Sequence, residues 1–129
     1  MAVASRVMTL REVADIAVTG GEFSFALRDF LDGFYARPAE EALRHEPLFL
    51  ADRLRDGARL DAHLGAVAEH LCRERRWSVP AWSREAARFL PQPWFGMKTH
   101  NGRMLLLADS PSAFRVRNLF VSADALSRV

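Results

Sequence analysis

Cysteine and lysine are almost absent from this sequence, which contains only Cys72 and Lys98. A single cysteine excludes an internal disulfide and does not supply a set of metal ligands. Long apolar runs are also missing: segments such as Met104–Ala108 are far too short to cross a bilayer as a helix. The N-terminus lacks the charged start and apolar stretch of a secretory signal. We therefore expect a cytoplasmic protein that does not enter a membrane.

The composition is that of an ordinary globular domain. Hydrophobic residues make up 50% of the chain and charged residues 26%, and 129 residues can bury one sizeable core. The net charge of +2 is close to balanced, which argues against a dedicated DNA-wrapping protein. Nearly all of the cations are arginines, which make planar, bidentate contacts that lysine cannot make. A GC-rich genome is an alternative explanation for this excess of arginine over lysine.

The first part of the chain has the pattern of two amphipathic helices. Thr9-Leu10-Arg11-Glu12 fits a capping box, in which the first and last side chains satisfy backbone N–H groups at a helix start. Gly20-Gly21 predicts the end of this helix. A second helix is predicted from about Glu22 to Tyr35, with one apolar face at helical spacing. That face consists of Phe23, Ala26, Leu27, Phe30, Leu31 and Phe34.

The clearest helix is predicted from about Leu60 to Arg76, and we expect it to be the central packing element. A buried stripe, more than intrinsic propensity, usually holds such a helix in place. The stripe consists of Leu60, Leu64, Val67, Ala68, Leu71 and Cys72. The polar residues of the segment are expected to face away from the core: Asp61, His63, Glu69, His70, Arg73 and Glu74.

Shorter helices are predicted after Pro38, over about Ser83 to Leu90 and over Arg103 to Asp109. Between the last two, Pro91–Gly96 contains two prolines and is expected to form a rigid turn. No segment shows the clean alternation of a strand. The sequence therefore predicts an all-α, compact, single-domain bundle of five to seven helices, with residues 1–8 flexible.

No group of side chains predicts a catalytic or metal centre. His63 and His70 are seven residues apart, whereas a helical zinc pair uses a spacing of four and needs a third ligand. Cys72 is interpreted as a small buried hydrophobic residue. The serines lack the context of a nucleophile elbow, and no phosphate-binding glycine loop follows a strand. We expect no catalytic residue, no metal and no cofactor, and predict that the protein is not an enzyme.

The densest mixture of arginine and bulky apolar residues lies near the end of the chain, in Asp109–Val121. Ser110 is predicted to cap a helix there, with Pro111 at the first helical position. If that helix continues, Phe114 and Leu119 face the core.

The outer side of this predicted helix is the candidate partner-binding surface. Its residues are Arg115, Asn118 and Phe120. Arginine and aromatic residues are enriched at the centres of protein interfaces, so residues 110–129 form a candidate partner-binding tail. The alternative is that the whole stretch is a corner of the core.

Nucleic-acid binding is a second possibility. Residues 10–35 have the outline of helix, glycine turn and helix, although the second helix offers mainly Arg28 to a DNA groove and is rich in phenylalanine. Arg73–Trp77 and Phe114–Arg117 mix arginine with aromatic residues, which can combine phosphate contacts with base stacking. The alternative interpretation of both segments is a helix end whose arginines complement the dipole.

Several motifs occur in an order that resembles one bacterial family. They are Phe30–Tyr35, Ala66–Leu71, Val79–Trp82, Pro93–Phe95 and Ser110–Val121. Together they resemble a family of small bacterial proteins found beside nucleotidyltransferase-like proteins, in an arrangement that looks like a toxin–antitoxin pair. The resemblance covers most of residues 10–125, and its motifs look structural. It implies a nucleotidyltransferase-like protein partner and no catalytic residue.

We therefore predict a non-enzymatic protein-binding module, in its sharpest form an antitoxin-type or regulatory partner. The competing prediction is a nucleic-acid-binding transcriptional regulator. A protein-binding module needs an exposed surface that contains apolar side chains, whereas a transcriptional regulator needs basic side chains that face a DNA groove.

Overall fold

The computed structural model describes residues 7–127, so the predicted flexibility of residues 1–8 falls almost entirely outside it. Helical segments hold 55% of the residues and strands 3%, which makes the protein mainly helical, as predicted. The backbone divides into two compact units, one up to Leu48 and one from Phe49 onward. Within the described range, no helix combines the length and the hydropathy that crossing a membrane requires.

The first unit contains α1 (Leu10–Val18), α2 (Phe23–Ala36) and a 3-10 helix (Glu40–Leu43). The predicted capping box is confirmed: Thr9 Oγ1 accepts from the Glu12 N–H at 3.3 Å, and Glu12 Oε1 accepts from the Thr9 N–H at 2.8 Å. Both helices bury most of their predicted apolar face, although Phe23 at the start of α2 is only half-buried. The buried residues are Leu10, Val13, Ala14, Ala17, Ala26, Leu27, Phe30, Leu31 and Phe34.

The second unit is organised around α3 (Gly57–Glu74). The other elements follow in the order 3-10 turn (Ala81–Arg84), 3-10 turn (Ala86–Arg88), β1 (Trp94–Phe95), α4 (His100–Asp109), α5 (Ser112–Arg115) and β2 (Leu119–Phe120). α3 contacts both 3-10 turns, α5 and β2. The predicted central helix is therefore the centre of this unit. It starts at Gly57, where a Cβ would collide with the carbonyl oxygen of Leu50.

Two acidic residues of α3 are buried, which corrects the prediction that they face away from the core. Asp61 is 0% exposed and Glu69 is 4% exposed. Gly65 lies between them on the same face of the helix, against the first 3-10 turn and the side chains of Arg88 and Arg117. Burial is tolerated because arginines and backbone N–H groups from other elements meet these carboxylates.

Two helix boundaries also differ from the predictions. The helix expected over 83–90 is instead the pair of 3-10 turns, because Glu85 between them is extended, with ψ of 145°. α4 begins earlier than Arg103, because Thr99 caps it and accepts from the Gly102 N–H at 3.0 Å.

The segment expected to be a rigid turn contains β1. This strand pairs in parallel with β2, with Trp94 opposite Leu119 and Phe95 opposite Phe120. The Trp94 N–H donates to the Asn118 carbonyl at 2.8 Å. The prolines precede the paired residues, so they do not remove a donor from the ladder.

Candidate functional site

The predicted partner-binding tail is not one continuous helix. α5 ends at Arg115, and Asn118 adopts a left-handed backbone conformation with φ of 64°. The chain then extends into β2. Helical spacing therefore does not apply beyond Arg115, and the prediction made from it that Phe120 faces outward is wrong.

The prediction that Ser110 caps α5 is wrong. Ser110 instead joins the end of α4 to the end of β2. Its Oγ donates to the Leu106 carbonyl at 2.6 Å and accepts from the Val121 N–H at 2.9 Å. Ser110 is 3% exposed, so these bonds are shielded from water. The hydroxyl thus acts at a helix C-terminus and a strand end.

Phe120 is buried, which corrects the expectation that it faces outward. Its side chain is 8% exposed, and its ring stacks on Phe95 with the ring centroids 4.9 Å apart. Phe114 and Leu119 are 0% exposed, as expected. Phe120 therefore belongs to the packing of the β1–β2 pair.

The other two predicted partner-binding residues hold neighbouring chain segments. Asn118 is half-buried, and its Nδ2 donates to the Leu90 carbonyl at 2.8 Å. Arg115 is exposed, and its Nη2 donates to the Ser110 carbonyl at 2.8 Å, which satisfies an acceptor beyond the end of α4. Of the predicted set, Arg115 is the residue that a partner can reach directly.

An exposed apolar surface lies on α4, next to Arg115. Leu106 is the residue through which α4 is buried, whereas Met104, Leu105 and Leu107 are 55%, 53% and 43% exposed. At about 100° per residue, these three and the exposed Ala108 lie on the side away from Leu106. We call Met104, Leu105, Leu107 and Ala108 the α4 surface.

Another apolar residue and several cations border the α4 surface. Met97 is 43% exposed and packs beside the first turn of α4, where a Cβ on Gly102 would lie 2.9 Å from the Met97 sulfur. Arg115 Nη2 lies 3.4 Å from the Ala108 carbonyl oxygen. Arg103 in α4 and Lys98 just before it are also exposed. Asp109 is the acidic residue of α4, so the border is mainly positive.

The interior of the second unit contains a buried ion pair between Glu69 and Arg117. Arg117 is 0% exposed, and its Nη1 donates to Glu69 Oε1 at 2.8 Å. The same guanidinium donates to the carbonyls of Ala113 and Ser83 at 2.8 and 2.7 Å. Burial lowers the pKa of Arg117, and the hydrogen bond and charge of Glu69 oppose that shift.

A second buried carboxylate, Asp61, lies at the start of α3. It accepts from the N–H groups of Leu50 and Ala51 at 2.7 and 3.1 Å, and Arg88 Nη1 is 3.7 Å away. Burial raises the pKa of Asp61, while the bond from Leu50 and the charge of Arg88 act against the rise. The Arg88 guanidinium also covers the ring of Phe49, 4.0 Å from the centroid.

These two buried carboxylates fasten chain segments together. Glu69 accepts from the Arg117 guanidinium, and Asp61 accepts from the backbone N–H groups of Leu50 and Ala51, so both carboxylates act as fixed hydrogen-bond acceptors. Acid–base chemistry requires a positioned proton donor or acceptor within reach of a substrate. The arrangement therefore supports a structural role for both.

The residues examined as metal ligands or nucleophiles are dispersed. The His63 ring packs edge-on against Phe114, with centroids 5.1 Å apart, and burial of the ring, with a smaller effect of Arg59, lowers the pKa of His63 to about 4. His70 Nε2 lies 3.3 Å from Glu74. Cys72 is buried, as predicted. Over residues 7–127, no three His, Cys, Asp or Glu side chains are grouped so that they could hold a metal ion.

The α4 surface was missed by sequence reasoning, although a signal was present. Met104–Leu107 places four consecutive apolar residues in a short predicted helix. A helix that buries one narrow side cannot cover all four. Comparisons with known proteins add no guide to this surface, because no protein-family model, curated protein or solved structure matches the chain.

Proposed function

We propose that this protein is a non-enzymatic protein-binding module and that its α4 surface contacts the partner. The observation that carries the proposal is the exposure of Met104 and Leu105, at 55% and 53%. Clustered exposed apolar side chains bordered by polar groups are typical of protein interaction sites. Methionine and arginine are also enriched at interfaces.

The border of the α4 surface favours one kind of occupant. Lys98, Arg103 and Arg115 are cations, whereas Asp109 is the carboxylate of α4. A second copy would bring two sets of these cations together, which is unfavourable. We therefore propose a separate protein whose apolar segment is flanked by acidic residues. Arg115 is the predicted binding residue that takes part.

The finer description of the protein follows from the sequence and is proposed with it. This chain is proposed to be the antitoxin-type or regulatory partner of a second protein, which the family resemblance implies is nucleotidyltransferase-like. The protein is also proposed to act in the cytoplasm. The nucleic-acid alternative receives less support from α1 and α2, since Phe30 and Phe34 pack α2 into the core.

Co-expression with the product of the adjacent gene tests the proposal. The variant Met104→Gln/Leu105→Gln should stay folded, because both side chains are exposed, and should no longer co-purify with that product. Phe25→Gln is the matched control, since Phe25 is exposed to 58% in α2. This control should co-purify like the native protein.

Three outcomes would contradict the proposal. One is unchanged co-purification of the folded double variant, and another is equal loss in the Phe25 control. The third is a dimer of the isolated protein that the double variant dissociates in sedimentation, because the α4 surface would then bind a second copy. Sequence-specific DNA binding at physiological salt, measured in parallel, would instead support the transcriptional regulator.

A further inference from the structure

Three arginines converge on the single carboxylate of Glu69. Arg117 meets Oε1 at 2.8 Å from the buried side. On the outer side, Arg73 Nη2 lies 2.7 Å and Arg84 Nη2 lies 3.7 Å from Oε2. The side chains of Arg73 and Arg84 are 56% and 55% exposed, whereas that of Glu69 is 6% exposed. Charge therefore alternates outward from a buried cation, through an anion, to two exposed cations.

One carboxylate cannot neutralise three guanidinium groups. The charges of Arg84 and Arg73 both lower the pKa of Arg117, because they repel its protonated guanidinium. The nearby carboxylate of Glu74 lies against two other side chains: His70 at 3.3 Å and Arg75 at 3.7 Å. The outermost layer of the cluster thus has an excess of positive charge.

The two exposed guanidinium groups are also held in position. Arg73 lies one helical turn after Glu69 on α3, and Arg84 comes from the first 3-10 turn. Both are directed to Oε2 of the Glu69 carboxylate, whose other oxygen, Oε1, accepts from the buried Arg117. Each guanidinium has five N–H donors in a planar fork, and the contacts with Glu69 use only part of them.

From this geometry we propose that Arg73 and Arg84 bind a phosphate group on the solvent side of Glu69. The oxygens of a phosphate can accept hydrogen bonds from both planar guanidinium groups. Its negative charge would lie outside the two cations, as the charge of Glu69 lies inside them. The ligand is a small phosphate-bearing molecule or the free ion. This site does not depend on the α4 surface or on the proposed function.

Calorimetric titration with inorganic phosphate at constant ionic strength tests the proposal, with adenosine monophosphate as a second probe. The native protein should show saturable binding of phosphate that equal concentrations of chloride do not reproduce. Arg73→Gln/Arg84→Gln should weaken it at least about tenfold, because two charge-assisted contacts are lost. Tighter binding of the monophosphate would identify a nucleotide as the ligand class, and equal binding would identify the phosphate group alone.

Arg53→Gln/Arg55→Gln is the matched control, since it removes two exposed arginines of the same unit. It should bind phosphate like the native protein. Equal weakening in this control would show a general effect of net charge and overturn the site. The site would also be overturned if neither phosphate nor adenosine monophosphate bound saturably to the native protein. This includes the result that the protein binds an oligonucleotide but neither of the two small probes.

A folding defect in the double variant would not leave the question open. Arg84→Gln alone removes a longer contact of 3.7 Å and leaves the pairs of Glu69 with Arg73 and Arg117 in place. It should weaken phosphate binding about tenfold with an unchanged melting temperature. Arg84→Lys keeps the charge but not the planar fork, so its affinity should be intermediate. Native affinity in Arg84→Gln would contradict the proposal.

Discussion

Arg117 and Glu69 form a buried ion pair across 48 residues of sequence, with 2.8 Å between Nη1 and Oε1. The same guanidinium donates to the carbonyls of Ser83 and Ala113. One side chain therefore connects α3, the first 3-10 turn and α5. Its hydrogen bonds offset the cost of removing two charges from water.

Removing either member of this pair should destabilise the protein strongly. Glu69→Gln leaves the buried Arg117 without its carboxylate, and Arg117→Met leaves Glu69 without its buried partner, so we expect each to lower the free energy of unfolding by about 3–5 kcal/mol. Urea denaturation measures the effect. The double variant should lose less than the sum of the two, because neither charge is then left alone.

Arg73→Gln is the control for this pair. Arg73 also contacts Glu69, but its side chain is 56% exposed, so its loss should cost less than about 1 kcal/mol. Equal costs for Arg73→Gln and Arg117→Met would show that burial does not set the strength of these contacts.

Two glycines in helices should respond to alanine with opposite signs. A Cβ at Gly65 would lie 3.1 Å from Arg117 Nε, 3.1 Å from the Ser83 carbonyl oxygen and 3.2 Å from Arg88 Cβ. We expect Gly65→Ala to destabilise the protein by about 1–3 kcal/mol, since crowding exceeds the gain in helix propensity.

Gly33→Ala in α2 is the matched comparison. Apart from the backbone of its own helix, nothing lies within 4 Å of a Cβ built at Gly33, so the variant should gain about 0.5–1 kcal/mol from propensity alone. Thermal unfolding of both variants in one buffer checks the signs. If Gly65→Ala instead stabilised the protein, the side chains of Arg88 and Arg117 would have to move away from the new methyl group at little cost.

The sequence predicted elements whose signals are local. Thr9 and Glu12 are three residues apart and report directly on one helix start. The stripe of α2 is likewise a property of neighbouring residues. By contrast, Glu69 has the same local signature as the exposed Glu74, because both are acidic residues in α3. What buries Glu69 is Arg117, and helical periodicity contains no information about a partner 48 residues away.

The candidate site shows the same limit. Arg115 was predicted to be accessible and is exposed. The prediction that Phe120 faces outward extends a helix through Asn118, whose left-handed conformation ends that periodicity. Asparagine tolerates this conformation better than most residues, so a break was compatible with the sequence. The pairing of β2 with β1 then buries Phe120, and a two-residue parallel pair leaves too short a pattern to recognise.

His63 should make the stability depend on pH between about 4 and 6.5. Its folded-state pKa of about 4 lies below the ordinary value of 6.5, so in this window the unfolded chain binds a proton that the folded protein does not. Stability should therefore fall as the pH is lowered through the window, by about 1–2 kcal/mol after allowance for partial exposure of the residue.

The measurement is urea denaturation at several pH values for the native protein, His63→Gln and His45→Gln. Asp61 has a raised pKa, which stabilises the fold as the pH falls, so the contribution of His63 is the difference between variants. His63→Gln should show a smaller loss of stability on acidification. The control at the exposed His45 should retain the native slope, and a native slope in His63→Gln would contradict the assignment.

Ser110→Ala should release the end of β2 from α4. The substitution removes an acceptor from the Val121 N–H, which the Ser110 Oγ meets at 2.9 Å. A buried N–H without a partner costs about 1–3 kcal/mol. Amide hydrogen exchange can locate the effect, because the Val121 N–H should exchange faster in the variant. The exchange rates of amides in the middle of α3 should change only as far as the global stability of the protein changes. Ser112→Ala, at an exposed position in α5, should change neither. If Ser110 acted instead as the N-cap of α5, the amides of Ala113 and Phe114 would lose protection and that of Val121 would not.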